Sequence, residues 1–160
     1  MQTASQPAAH RSVALIVSKG GLDEVYPALI LANAARASGI DASIFFTFYG
    51  LDAITEKKVD RLHVSMVGNA SSPMPHALAG LPGMDGVATS FMKKRMEALD
   101  IPGVREMIQM LADAGCRIFA CELAMNMFEL KATDLLPQVE SVLTAEDFYR
   151  ETVGADIVFT

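Results

Sequence analysis

The chain of 160 residues contains two cysteines, Cys116 and Cys121. They bracket a short apolar run, Cys116-Arg-Ile-Phe-Ala-Cys121, which is followed by Glu122-Leu-Ala-Met-Asn-Met-Phe128. The run reads as a β-strand over 116–120 that delivers Cys121 to the point where the strand stops and a helix beginning near Glu122 takes over. A sulfur there lies near helix N–H groups without intrahelical partners, which favour the thiolate over the thiol. The thiolate is the nucleophile, so Cys121 is the candidate catalytic residue and sulfur chemistry is what its placement supports. Glu122, next in sequence, opposes that ionisation if it turns inward.

Cys116 is the obvious candidate for a redox partner, and strand geometry excludes it. At a rise of about 3.3 Å per residue the two Cα atoms stand about 16 Å apart, whereas a disulfide needs roughly 4.4 to 6.8 Å. The spacing is not that of a C-x-x-C oxidoreductase. Cys116 is therefore expected near the opposite end of the strand as a buried packing residue.

Other strands must bring partners to the same edge. Val13-Ala-Leu-Ile-Val17 is a continuous apolar run of the kind shown by a strand buried on both faces, and Ser18-Lys-Gly-Gly-Leu-Asp23 follows it at once. Gly20 and Gly21 permit a tight turn, Asp23 is read as the N-cap of a helix with Pro27 in its first turn, and Gly39 as its stop. Lys19 has two readings, a solvated loop lysine or a cation that reinforces a thiolate across the rim. The loop lacks G-x-x-x-x-G-K-[ST] and G-x-G-x-x-G, so neither a P-loop nor a dinucleotide fold is indicated. A second strand over 41–47 ends in Phe48-Tyr49-Gly50, whose aromatics either pack into the core or wall a pocket, and a short helix is expected over 51–57. In a parallel sheet, Ser18, Lys19, Gly20, Gly21, Phe48, Tyr49, Cys121 and Glu122 all fall at the carboxyl edge, where open α/β sheets bind ligands.

Between about 64 and 90 the pattern breaks down under Met66, Gly68, Pro73, Met74, Pro75, Gly80, Pro82, Gly83, Met84 and Gly86. Loops of this length are uncommon in compact domains and tend to be binding loops or interfaces, so this stretch is expected to cover a neighbouring subunit or the Cys121 site. His63 and His76 have no partner at metal-ligand spacing and are read as surface or loop residues. A helix is expected over 91–99, with Lys93, Lys94 and Arg95 on a solvated face. Another is expected to open at Pro102, bury Val104, Met107, Ile108 and Leu111, and stop at Gly115. A fourth strand is expected over 139–143, a helix capped by Thr144 with Asp147 completing the box, and a fifth strand over 155–159. Strands alternating with helices give an α/β fold: three layers, α/β/α, on a mainly parallel five-stranded sheet. A disordered tail over 1–12, with His10 given no role, precedes a single domain over 13–160.

The formal charge of −6 and pI near 5.0 argue against nonspecific binding to nucleic acid or anionic membrane. No segment reaches the roughly 18 uninterrupted apolar residues of a membrane span, and the N-terminus lacks a signal-peptide apolar core, so a cytoplasmic protein is expected. An apolar fraction of 51% and a mean hydropathy of +0.29 point to large buried surfaces and to homo-oligomerisation. No Ser/His/Asp arrangement, metal set or cofactor motif is assignable.

The ordered segments Ser18-Lys-Gly-Gly-Leu-Asp23, Tyr26-Pro-Ala-Leu-Ile-Leu31, Ile44-Phe-Phe-Thr-Phe-Tyr-Gly-Leu51, Leu81-Pro-Gly-Met84 and Ala120-Cys-Glu-Leu-Ala-Met125 together resemble the DsrE/DsrF/DsrH-like family, in particular its DsrE2 branch, sometimes labelled peroxiredoxin-like. The resemblance spans nearly all of 13–159. It implies the three-layer fold, oligomeric assembly, and a cysteine, mapped onto Cys121, that carries sulfane sulfur as a persulfide between partners such as rhodanese-like and TusA-like proteins. Sulfur carriage, with a sulfurtransferase-like step, is thus the leading function. A noncatalytic ligand-binding or assembly module of the same fold is the alternative, and a thiol peroxidase ranks third because no resolving cysteine is in reach.

Overall fold

A computed structural model describes residues 11–64 and 84–160. Its centre is a five-stranded sheet built from β1 (Ser12–Val17), β2 (Asp41–Phe46), β3 (Arg117–Cys121), β4 (Ser141–Leu143) and β5 (Asp156–Phe159). The order across the sheet is β4-β3-β2-β1-β5, and every pairing is parallel. The register aligns the apolar runs in rows. Leu15, Ile44 and Ile118 form one row and Val17, Phe46 and Ala120 the next, all without solvent contact, as expected of strands covered on both faces.

The helices are α1 (Leu22–Ala37), α2 (Met84–Glu97), α3 (Val104–Asp113), α4 (Glu122–Met127) and α5 (Ala145–Glu151). Successive crossovers from β1 to β4 step in one direction. The last returns over the sheet to place β5 beside β1, and right-handed connection puts α5 on the face opposite α1. There Phe148 stacks on Phe45 of β2 with ring centroids 4.7 Å apart. Thr144 caps α5, accepting from the Asp147 N–H at 3.1 Å, and the Asp147 carboxylate accepts from the Thr144 hydroxyl at 2.7 Å. Val104, Met107, Ile108 and Leu111 are buried along α3 as their spacing requires, while Met110 is 46% exposed.

Several local expectations are corrected. The N-cap of α1 is Gly21, not Asp23, and Pro27 lies inside the helix. The Glu24 carboxylate reaches back to the Gly21 N–H at 3.2 Å, and that bond sets the start. The helix expected over 51–57 is a pair of tight turns, Phe48–Ile54 and Val59–Arg61. Helix α2 begins at Met84, not Phe91. Gly86 does not interrupt the chain but sits within this helix, whose Thr89 is buried and accepts from the Val64 N–H at 2.9 Å. Helix α3 opens at Val104 with Gly103 as its cap, so Pro102 precedes the helix and does not hold its first position. Ser12 belongs to β1, and β3 starts and ends one residue later than read, so Cys121 is its last residue. Most of the methionine-rich stretch, with His76, and the tail with His10 lie outside the described residues.

Candidate functional site

All five strands point their carboxyl ends to one edge, and two glycine contacts lock the loops there. A Cβ at Gly50 would sit 2.2 Å from the Val17 carbonyl oxygen, and one at Gly20 would sit 2.6 Å from that of Tyr49. The loops after β1 and β2 therefore lie backbone against backbone, which only glycine permits. The Gly50 N–H donates to the Thr47 carbonyl at 2.9 Å. To make this turn Phe48 takes a φ of 46°, a left-handed conformation uncommon for a bulky side chain. Phe48 and Tyr49 are 49% and 64% exposed, so of the two readings for these aromatics, core packing is overturned. Tyr49 meets Phe128, just beyond α4, with ring centroids 5.4 Å apart. That contact ties the Cys121 helix to the rim of β1 and β2.

Cys121 ends β3 and is itself the N-cap of α4, with φ −78° and ψ 119°. Its side chain accepts no hydrogen bond from the first turn. The residue is 8% exposed, and beside it Leu123 is 73% exposed. Ser18 and Thr47 continue β1 and β2 by one residue each. Extending the register by that step places Ser18 beside Thr47 and Thr47 beside Cys121, all on the sheet face that carries Phe45 and Phe119. The Ser18 hydroxyl donates to the Thr160 carbonyl at 3.4 Å. Thr47 is buried at 8% exposure. Thr47 was not singled out from the sequence, because its adjacency to Cys121 exists only once the pairing register is known.

The remaining rim residues gather elsewhere. Lys19, Gly20, Gly21 and Tyr49 line an open groove of about 540 Å³ together with Glu24, Asp52, Lys58, Arg61 and His63. Ser18, Phe48, Cys121 and Glu122 do not line it. Lys19 is 62% exposed and pairs with Glu24 at 3.6 Å, so its charge is spent on its own helix and not on Cys121. Lys58 pairs with Asp52 at 2.7 Å. Glu122 is exposed. The reversal in strand order falls between β1 and β5, so the crevice favoured for ligands in open sheets lies at Ser18 and Thr160, two strands from Cys121.

Cys116 precedes β3 and is buried at 5% exposure. Burial pushes its thiol up to about 12, opposed by the charge of Arg36. The two cysteines are both free. Among the described residues no group of three or more His, Cys, Asp or Glu side chains is arranged to hold a metal ion, and no helix is long and apolar enough to cross a membrane.

The model of the DsrE/DsrF/DrsH-like family matches residues 9–159. The chain belongs to that family. It is 33% identical over 138 residues, covering 81% of this chain and 86% of the relative, to the sulfur carrier protein DsrE2 of Allochromatium vinosum. It is 22% identical over 134 residues to the uncharacterized protein YrkE of Bacillus subtilis, covering 79% of this chain and 82% of YrkE. Among solved structures, protein MTH1491 of Methanobacterium thermoautotrophicum aligns with a TM-score of 0.58 at 12% identity, covering 94% of this chain and 99% of that one. The ychN protein of E. coli aligns with a TM-score of 0.54 at 14% identity, covering 93% and 99%. These likenesses establish the DsrE-like fold and the DsrE2 branch.

Proposed function

We propose that this chain is a sulfur carrier that holds sulfane sulfur as a persulfide on Cys121 and passes it to an acceptor thiol. The observation that carries the reading is the position of Cys121, the last residue of β3 and the cap of α4, beside the exposed Leu123 at the carboxyl edge of the sheet. The DsrE2 relative, named a sulfur carrier protein, supports the same chemistry. In loading, the Cys121 thiolate attacks the outer sulfur of a donor persulfide, R–S–SH. The donor S–S bond breaks, R–S⁻ leaves, and Cys121–S–SH forms. Unloading repeats the exchange with an acceptor thiolate attacking the outer sulfur. Each step breaks one S–S bond and makes one, so no oxidant or reductant is consumed. Rhodanese-like proteins are donors of suitable chemistry and TusA-like proteins are acceptors. Intact mass after incubation with glutathione persulfide is expected to rise by about 32 Da and not to rise in Cys121→Ser; no gain on the wild-type protein would remove the proposal.

The chain is further inferred to self-associate. Tyr149, Val153, Ile157 and Phe159 are 68%, 81%, 46% and 68% exposed around α5 and the edge strand β5, a concentration of large apolar groups that favours an interface. The groove at Lys19 and Tyr49, which Cys121 does not line, favours a second reading, a noncatalytic ligand-binding module. Retention of cellular function by Cys121→Ser would favour that reading over sulfur carriage.

A further inference from the structure

The polar side chain next to Cys121 has no established use. Thr47 has φ −135° and ψ 162° and Cys121 is likewise extended, so strand alternation holds through both residues. Their Cα atoms are partners one step beyond Phe46 and Ala120, on strands about 4.8 Å apart. Thr47 is buried at 8% exposure, yet among the described residues its hydroxyl has no hydrogen-bond partner. Since no fully enclosed side-chain oxygen or nitrogen lacks a partner among the described residues, the Thr47 hydroxyl borders solvent at the rim.

The hydroxyl is also not bonded to the Cys121 sulfur. A persulfide is longer than the thiol by one S–S bond of about 2.05 Å. Its outer sulfur carries the negative charge when ionised and extends toward neighbours that the thiol alone does not engage. We infer that the Thr47 hydroxyl is the seat of that outer sulfur: it donates a hydrogen bond to the terminal sulfur of the Cys121 persulfide anion. This inference rests on the sulfur-carrier reading and makes Thr47 a group specific to the loaded state. It names the cargo as a single small anionic sulfur held beside β2. The exchange equilibrium is R–S–SH + Cys121–S⁻ ⇌ R–SH + Cys121–S–S⁻, in which the proton passes to the leaving thiol, and the hydroxyl acts only on the right-hand side.

The test is the extent of loading at fixed ratios of glutathione persulfide to glutathione, read by intact mass on wild-type protein, Thr47→Val and Thr47→Ser. Valine keeps the shape and removes the hydroxyl, whereas serine keeps the hydroxyl. A hydrogen bond to a charged acceptor corresponds to about a tenfold change in the exchange constant. Thr47→Val is thus expected to load about tenfold less favourably, with Thr47→Ser restoring most of the difference and thermal midpoints showing that both variants are folded. Loading of Thr47→Val equal to wild type would overturn the role of Thr47 and leave the carrier reading standing. Equal loss in both variants would also overturn it, by pointing to packing and not to the hydroxyl. Absence of any adduct on wild-type protein would overturn the carrier reading, and this inference with it.

Discussion

Cys116 and Cys121 lie at opposite ends of β3, and both are buried. Cys116 precedes β3 with its thiol pushed up to about 12 by burial, so it remains protonated and inert near neutrality, since the thiolate is the nucleophile. Cys121 sits at the strand's other end, next to exposed residues. Iodoacetamide at pH 7.5 is expected to alkylate Cys121 first, with Cys116 reacting only after unfolding; the order is read from timed peptide mass spectra, and equal rates would contradict it. Tyr26 offers a second residue-level prediction. Its hydroxyl donates to the Pro102 carbonyl, and burial together with Glu106 pushes it up to about 12. Tyr26 and Cys116 both hold their protons more tightly folded than unfolded. Their stabilisation is complete below pH 9, where the unfolded groups are still protonated, and is lost as pH rises toward about 12. The denaturation midpoint in urea is expected to fall across that interval, and to fall less steeply in Tyr26→Phe.

At the scale of elements, α5 is a short helix that covers its sheet face through one aromatic anchor. Phe148 is 3% exposed and stacked on Phe45, so Phe148→Ala is expected to cost about 3 to 5 kcal/mol, measured by urea unfolding. Removal of the cap in Thr144→Ala is expected to cost about 1 kcal/mol. The rim loops depend on a different device, close backbone contact. A methyl at Gly50 meets the Val17 carbonyl, a backbone atom that cannot swing away. Gly50→Ala is expected to cost about 1 to 3 kcal/mol and to shift the NMR signals of Ser18, Thr47 and Tyr49, whereas an Ala at Gly86, which has open space around it, is expected to leave them in place.

For the whole molecule, the alternation of apolar strands with helices is enough to read the α/β class, because a strand covered on both faces needs an uninterrupted apolar run such as Val13–Val17, in which Ala14, Leu15 and Val17 are buried and Val13 and Ile16 partly buried. The position of Cys121 at a strand end was also legible, since Glu122 onward resumes helical character. What could not be read was lateral. The order β4-β3-β2-β1-β5 sets which strand ends are neighbours, and it separates Cys121 from the groove that holds Lys19, Gly20, Gly21 and Tyr49. Thr47 became visible for the same reason. Local propensity also misled where tertiary contacts prevailed: Gly86 lies within α2 because that helix packs Thr89 against Val64.

Sulfur residence on Cys121 is tested most directly by locating the adduct. Cleavage after Arg105, Arg117 and Lys131 divides the cysteines between peptides 106–117 and 118–131. After treatment with glutathione persulfide and trapping of free thiols, an addition of about 32 Da is expected on peptide 118–131 and not on 106–117. An addition on 106–117, on both peptides equally, or on neither would contradict the assignment of the carrier site to Cys121.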